Sequence, residues 1–539
     1  MYLYELYRND TLQDILIVDC GIGFPKDNEL GVDFVIPDVS YLKDKVDKIR
    51  AILLTHGHED HHSALPYHYD ALGRPPIYAS KLTAYFVENK FRDRAGQSVR
   101  VTQIEYDRTY KFGDFEADFI HMTHSIPDTM HMLIKTPIGT FYHGADFKID
   151  LNPPYDSPPD FYKITKAGRD GILCLLSDCL GAERAGYTLS ESIVGQTFED
   201  EMRKSRGAFI MTSFSSNISR IRQCMDAAVK FQRKIVFMGR SMKENTEIAT
   251  KIGYLPYAHD LIVKEEKMSR IPPKNLCLIV AGSQGQYTSA LSKIALKQNR
   301  FFKIKPGDKV VFSSDPVPGN EDSVYDLIET LTIQGADVIY SDIQEQLHAS
   351  GHGNQEDLKL LIRFTNPKYF IPIGGDIRHQ RQYQRLAVDL GYQGDSVFML
   401  NEGDTVWFTR GSAYRGENIP TQTIYVDAHG VGDVGSEVLK VRQTLSSDGI
   451  VVVLLIHRAN GELAGRPKIV SRGFVFEPRE QKLIEALQSE IERLMKPKGG
   501  STPLIENVKK QITANVEKFL YEKKGRRPLV IVENVQIDN

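Results

Sequence analysis

Cysteine is scarce in this sequence, five in 539 residues, and none of Cys20, Cys174, Cys179, Cys224 and Cys277 stands in a Cys-x-x-Cys pair. A disulfide framework and a thiolate zinc site are thereby excluded, and the five read as reduced structural residues. Long hydrophobic runs are missing too. The best, Gly449 to Ile456, has the length of a strand and falls far short of the roughly 18 residues that cross a bilayer. Met1-Tyr2-Leu3-Tyr4-Glu5 lacks the basic start and apolar core of a signal peptide, so a cytoplasmic protein without membrane attachment is expected. No Gly-rich phosphate loop is present, which removes nucleotide-driven chemistry. An excess of one charge is also absent, since 67 Lys and Arg face 70 Asp and Glu. The whole surface therefore cannot grip nucleic acid, although a local basic groove remains open.

What is present is ordinary globular composition, 41% apolar and 25% charged, in a chain long enough for two to four domains. In the first half, short β-rich runs (Ile15 to Val18, Ala51 to Leu54, Phe141 to His143, Ile172 to Leu176) each lead into a loop rich in His, Asp or Ser. That is how a layered α/β hydrolase delivers side chains from strand ends to one cleft. Regular strand and helix alternation follows, with strands at Gly207 to Thr212, Lys234 to Met238, Leu276 to Ala281 and Lys309 to Ser313, before His-rich loops return at His348. The expected organisation is a core over 1–185, an inserted α/β domain over 186–347, a return segment of the core over 348–430, a linker over 431–455, and an α+β domain over 456–539. In that last domain Leu483, Leu487, Ile491 and Leu494 form one helical stripe, and Leu504, Val508, Ile512, Val516 and Phe519 a second. Turn residues from Lys496 to Pro503 separate the two.

The sharpest signal is Leu54-Thr-His56-Gly-His58-Glu-Asp60-His61, which directly follows an apolar run. A chance His-x-His-x-Asp-His has odds on the order of one in a thousand for a chain of this length. Imidazole and carboxylate are the ligands a borderline cation such as zinc prefers. In an extended loop His56 and His58 can face one ion while Asp60 and His61 turn to a second. His124 and Asp146 also follow strand-like runs, and an aspartate so placed can bridge two ions. Each alone would be a turn former about three times in four, and the first motif raises both. Asp19, at the end of Ile15-Leu-Ile-Val-Asp19, reads as a support behind the ligand loop. His121 and His131 are placed on the sheet.

Val18-Asp19-Cys20-Gly21, His56-x-His58-x-Asp60-His61, Thr123-His124-Ser-Ile-Pro-Asp128 and Asp146-Phe-Lys148 together resemble the metallo-β-lactamase core. Ser177-Asp178 through Tyr187, Phe214-Ser-Ser-Asn-Ile-Ser-Arg220, Gly239-Arg-Ser-Met242, Gly282-Ser-Gln-Gly285, Pro316 to Glu321 and His348-Ala-Ser-Gly-His352 resemble the β-CASP insertion of the ribonuclease J family. Gly432-Asp-Val-Gly435, Ser447-Asp-Gly-Ile450 and Arg526-Arg-Pro528 extend the likeness to nearly the whole chain. The resemblance implies an α/β fold: a metallo-β-lactamase αββα sandwich with an inserted α/β β-CASP domain and a small α+β C-terminal domain.

It also implies roles. His56, His58, His124 and Asp146 would hold one zinc, and Asp60, His61 and Asp146 would contribute to another. Asp178 and His352 would be catalytic, and Ser215, Ser216, Asn217 and the segment His348, Ala349, Ser350, Gly351, His352 would bind substrate. The implied activity is RNA phosphodiester hydrolysis, 5′-to-3′ exonucleolytic with some endonuclease action, in rRNA maturation and mRNA decay. Single-stranded RNA with a 5′ monophosphate would be the partner, and homodimers or homotetramers would form through the C-terminal domain. Two departures stand out. Gly374 occupies the position where the family has a histidine that completes the second zinc. Water or His379 can fill that vacancy, and the expectation is one firm zinc and a second, weak or water-completed. The family's opening Gly- and Glu-containing strand pair is also absent before Met1, so an edge strand is missing or the start lies upstream. The alternatives are a weakly active scaffolding subunit of an RNA-decay complex and a DNA-directed nuclease of the same architecture.

Overall fold

Ile15 to Val18 and Ala51 to Leu53 are fully buried on both faces, as strands at the centre of a doubly covered sheet must be. Their strands, Thr11–Val18 and Ile49–Leu53, run parallel in the computed structural model. The structure describes residues 1–536 apart from 27, 259, 318, 345, 429, 459–462, 476–479 and 496–504, with backbone alone at 95 and 505–508. Tyr2–Arg8 joins one edge antiparallel, and Ile77–Ala79 and Val101–Gln103 complete a five-stranded sheet. A six-stranded sheet faces it, ordered Tyr369–Ile373, Cys174–Asp178, Gly139–Gly144, Met130–Thr136, Phe115–His121, Tyr110–Phe112. Leu16, Val18 and Leu53 of the first sheet meet Phe119, Met132, Ile134 and Phe141 of the second in one apolar cluster. Helices Phe161–Asp170, Gln355–Thr365 and Ile377–Asp389 bury Ile164, Leu358, Leu361 and Tyr383 on the other side of the second sheet. Helix Lys81–Ala95 packs on the first. The layers run α, β, β, α.

Between Cys174–Asp178 and Tyr369–Ile373 the chain builds an all-parallel sheet of its own. Its order is Lys234–Met238, Leu276–Val280, Phe209–Thr212, Lys309–Phe312, Asp337–Ile339. Helices Ser192–Lys204 and Ile218–Lys230 cover one face with Val194, Phe198, Ile221 and Met225, and helix Glu321–Ile333 covers the other with Val324, Leu327 and Leu331. The two core strands that flank this insertion pair with each other, Cys174 opposite Tyr369 and Asp178 opposite Ile373. The two strands are parallel, so the chain leaves the core at the carboxyl end of Cys174–Asp178 and enters Tyr369–Ile373 at its amino end, after the core helix Gln355–Thr365.

Residues 24–35 and 424–539 form a second compact unit. In it Ile450–His457 is the central strand, antiparallel to Lys468–Arg472 and parallel to Leu529–Gln536. Helices Gln481–Met495 and Ile505–Lys524 pack on the sheet through Leu487, Ile491, Ile512 and Val516. The linker expected over 431–455 is a correction. Residues Ser436–Ser447 are helical, and Val451, Val453 and Leu455 alternate into the core of this unit, so the segment belongs to the folded domain. Its turn-rich start had masked a period-two apolar pattern further on. The break from Lys496 to Pro503 and the stripe residue Leu504 lie outside the described residues.

Helix Phe161–Asp170 approaches helix Gln355–Thr365 so closely that a Cβ on Gly168 would stand 1.9 Å from the Phe364 carbonyl oxygen. Backbone cannot yield as a side chain can, so Gly168→Ala is expected to cost about 1–3 kcal/mol by prying the two helices apart. Chemical denaturation of the variant beside the wild type measures this. A variant of unchanged stability would mean that the helices separate freely.

Candidate metal centre and phosphate loop

The centre is built from strand ends, and Asp19 organises it. Asp19 closes the strand Thr11–Val18 in the left-handed region, at φ 57°, and its side chain is buried beneath the ligand loop. One carboxylate oxygen accepts the Thr55 N–H at 2.8 Å; the other accepts the Thr55 hydroxyl and His61 Nδ1, each at 2.8 Å. Thr55 Oγ1, its own proton committed to Asp19, accepts from His56 Nδ1 at 3.0 Å. His124 Nδ1 donates to the Gly351 carbonyl at 2.6 Å, and His58 Nε2 lies 3.3 Å from Ser125 Oγ.

These outer partners take the protons on the far side of each ring. The inward atoms are His56 Nε2 and His58 Nδ1, 3.0 Å apart, and His124 Nε2, 3.1 Å from His58 Nδ1. Three unprotonated nitrogens this close repel one another in a dry interior, and a cation among them removes the repulsion. Nitrogens held tetrahedrally at about 2.0 Å from one zinc lie about 3.3 Å apart, so the donor set fits that ion. Asp146 Oδ2 lies 3.3 Å from His61 Nε2, 3.9 Å from His56 Nε2 and 4.0 Å from His124 Nε2. Asp60 is half exposed, with Oδ2 3.6 Å from His61 Nε2. His121 and His131 lie in strands, as expected.

Protonation divides the centre. Burial above all holds His56 and His124 well below the usual histidine range and His58 at about 4. A neutral imidazole is the form that ligates. At His61 burial works in the same direction, but the carboxylates of Asp146, Asp60 and Asp19 outweigh it and raise the ring well above its ordinary range. Burial likewise opposes ionisation of Asp146, yet His61 and His352 hold it well below the carboxylate range. His61 and Asp146, 3.3 Å apart, thus form an ion pair beside the three neutral rings.

Gly374 stands at the rim, φ 78°; a Cβ there would lie 3.6 Å from Asp178 Oδ1 and 3.7 Å from Asp146 Oδ1. A side chain at this position would start beside the centre, and glycine leaves that space without a donor. His379 does not supply one. It caps the helix Ile377–Asp389, its Nδ1 accepting the Asp376 N–H at 3.2 Å while its Nε2 lies 3.7 Å from Glu183.

Asp178 and His352 come together from opposite ends of the insertion. His352 Nδ1 donates to Asp178 Oδ2 at 2.7 Å, and the other oxygen of Asp178 accepts the Leu180 N–H at 2.8 Å. The His352 ring is 5.2 Å from that of His124, and His124, Asp146 and His352 offer ligand atoms within 4.8 Å of one another. Burial pulls His352 down, and Asp178 and then Asp146 overcome it, to about 9.

The segment His348 to His352 is held from several sides. Arg220 donates to the Ala349 carbonyl at 3.0 Å, Thr188 Oγ1 to the His352 carbonyl at 3.0 Å, and the His352 N–H to Ser350 Oγ at 3.1 Å. Gly351 is required, because a Cβ would stand 2.5 Å from His124 Cε1. Ser215 and Ser216 are half-buried in the loop before helix Ile218–Lys230, Ser215 accepting from Asn245. Asn217 is buried, and its Oδ1 caps the helix by accepting the Arg220 N–H at 3.1 Å. Sequence reasoning gave no role to Arg220, Glu191, Thr188 or Lys148, which the fold gathers behind this loop. One signal was available, since Arg220 puts a charge on a helix face whose other members, Ile221 and Cys224, are core.

Comparison with known proteins gives a consistent placement. Residues 6–173 match the metallo-beta-lactamase superfamily, and residues 206–331 match the beta-CASP domain of ribonuclease J. Residues 337–399 match the RNA specificity domain of zinc-dependent metallo-hydrolases, and residues 437–537 the ribonuclease J C-terminal domain. Ribonuclease J 1 of Streptococcus pyogenes is 37% identical, over 97% of this chain and 94% of its own. Ribonuclease J of Thermus thermophilus is 36% identical, over 98% and 92%, and ribonuclease J2 of Bacillus subtilis 35%, over 98% and 95%. A solved protein of unknown function from Enterococcus faecalis shares the fold, with a TM-score of 0.51, 13% identity and coverage of 77% of this chain and 96% of its own.

The His352–Asp178 pair predicts a pH dependence. A histidine raised from its ordinary 6.5 to about 9 contributes stability that is complete below pH 6.5 and is lost as pH rises through 9. Chelator-stripped wild type should therefore lose stability between pH 6.5 and 9, and Asp178→Asn should flatten that decline. Parallel pH-dependent melts of the two proteins would argue against the pair.

Proposed function

The chain belongs to the ribonuclease J family of metal-dependent RNA hydrolases, and on that footing we propose that it is a zinc ribonuclease, chiefly a 5′-to-3′ exonuclease with some endonuclease action. The observation that carries the zinc assignment is the approach of His56 Nε2 and His124 Nε2 to His58 Nδ1, at 3.0 and 3.1 Å, each ring's other nitrogen engaged outward. His56, His58, His124 and Asp146 would hold one ion firmly. His61, Asp60 and Asp146 would hold a second weakly, because Gly374 adds no donor. Bound there, zinc makes a water nucleophilic at neutral pH and polarises a phosphoryl oxygen.

The chain's own groups supply the rest. His352 carries a proton beside the centre and delivers it to the leaving ribose oxygen, and Asp178 holds the ring for that transfer. Residues His348 to His352 line the phosphate, with Ser215 and Ser216 alongside. Tyr187 and Phe214, both exposed and adjacent in sequence to Thr188 and Ser213, offer ring faces for unpaired bases. Among the described residues no helix is long and apolar enough to cross a membrane, and we place the protein in the cytoplasm, acting in rRNA maturation and mRNA decay. The second compact unit would carry dimer or tetramer assembly. Gly374 also favours one further reading, a weakly active subunit that scaffolds another nuclease.

Matched RNA and DNA oligomers with 5′ monophosphate or 5′ hydroxyl ends, given to zinc-loaded and chelated protein, test the proposal. Zinc-dependent loss of 5′-phosphorylated RNA from its 5′ end is expected. Equal cleavage of DNA would redirect the assignment to a DNA nuclease, cleavage that survives chelation would remove the zinc assignment, and absent cleavage would leave the scaffolding role. Gly374→His is expected to raise zinc per chain towards two while lowering stability by about 1–2 kcal/mol, since φ 78° disfavours a side chain. Metal analysis of both proteins reads this, and unchanged zinc content would sink the account of the vacancy.

A further inference from the structure

Arg220 is among the largest fully buried side chains of the protein. A guanidinium has five N–H groups, no acceptor, and no accessible neutral form. Here all five are used. Nε donates to Glu191 Oε1 at 2.7 Å; Nη2 donates to Glu191 Oε2 at 2.8 Å and to the Ala349 carbonyl at 3.0 Å. Nη1 donates to the Ser313 carbonyl at 2.6 Å and to His348 Nδ1 at 2.7 Å.

The last of these fixes a proton. Arginine can only donate, so His348 Nδ1 must accept and carries no hydrogen. The ring cannot then be an imidazolium, and its single proton sits on Nε2. His348 Nε2 has Asp315 Oδ2 at 3.8 Å, beyond hydrogen-bond reach, and the side chain is 17% exposed. Glu191 is locked in turn, with Lys148 Nζ 3.5 Å from its Oε2, so the clamp is anchored two residues from Asp146.

We infer that Arg220, gripped by Glu191, is a positioning residue that holds His348 as a neutral Nε2–H donor, so that His348 recognises an RNA phosphate oxygen and does not act as a base. The inference rests on the reading that residues 348–352 line the phosphate. It adds that reading's missing proton, and it makes a residue of the insertion's helix Ile218–Lys230 decide the chemistry of a loop 128 positions further along the chain.

Two substitutions separate the nitrogens. The amide of His348→Asn falls near Nδ1, where its oxygen can accept from Arg220, and leaves the Nε2 position empty. The amide of His348→Gln reaches the Nε2 position with an N–H and leaves Arg220 Nη1 without its partner. Stability and substrate binding should therefore move in opposite directions. With zinc-loaded full-length protein and a 5′-monophosphorylated RNA oligomer, His348→Gln should keep KM within about threefold of wild type but melt earlier than His348→Asn. His348→Asn should raise KM tenfold or more with a smaller change in kcat. Arg220→Lys, which keeps the charge and loses the fork, should raise KM in the same way, and should add little to His348→Asn in the double variant. Should Arg220→Lys not fold, the two His348 variants decide the matter alone. Equal KM losses in both would overturn the tautomer assignment while leaving the loop on the phosphate. Unchanged KM in both would remove the phosphate reading and the inference with it.

Discussion

A buried carboxylate at a strand end governs this molecule's chemistry. Asp19 has no ligand role of its own, yet its two oxygens accept the Thr55 N–H, the Thr55 hydroxyl and His61 Nδ1. Through Thr55 it also dictates which nitrogen of His56 is free. Without that acceptor the imidazoles could rotate or exchange tautomers to relieve their crowding, and the inward nitrogens would no longer face one another. The neutrality of His56, His58 and His124 and the opposing charge of His61 follow from the same frame, because burial acts on all four rings and only His61 faces enough carboxylate to resist it. Rings whose outer nitrogens are already committed present their inward nitrogens as a preorganised donor set.

The insertion extends this logic. The chain departs after Asp178, at the carboxyl end of its strand, and the returning loop that ends in His352 comes back beside that point before helix Gln355–Thr365 leads into the neighbouring parallel strand at Tyr369. That geometry lets Asp178, on the outgoing strand, meet His352, on the returning loop, at hydrogen-bond distance. It also lets Arg220, from a helix inside the insertion, reach the same loop. The loop is thus tied to the core through His124 and to the insertion through Arg220, and any displacement of the insertion is felt at both. Beside the difference in charge between His61 and the other rings, Gly374 adds a second asymmetry, because it places no side-chain donor at the rim next to Asp178 and Asp146.

Much of this was legible in local sequence. The His56 to His61 motif is a short-range pattern on one loop, and its chemistry survives in any fold that ends a strand there. Asp146 and His124 were found because they too follow apolar runs, and the layered architecture was carried by the resemblance of whole motifs. The segment 431–455 was misjudged, since a turn-rich start resembles a linker until its later alternation is paired with the strand Leu529–Gln536. Asn217 and His379 look like free polar groups in sequence, and each caps a helix, a role that depends on where the helix begins.

The sequence by itself determined which atoms are available: imidazole and carboxylate donors at strand ends, a glycine where a ligand is expected, and an arginine on an apolar helix face. Only the tertiary structure decided which of them carry protons. Tautomer and charge depend on partners within about 3 Å, and here those partners, Asp19 for His61, Gly351 for His124, Asp178 for His352 and Arg220 for His348, lie 42 to 227 positions away in the chain. Chain spacing at that range carries no distance information, because it is the pairing of strands and the packing of layers that bring such groups together.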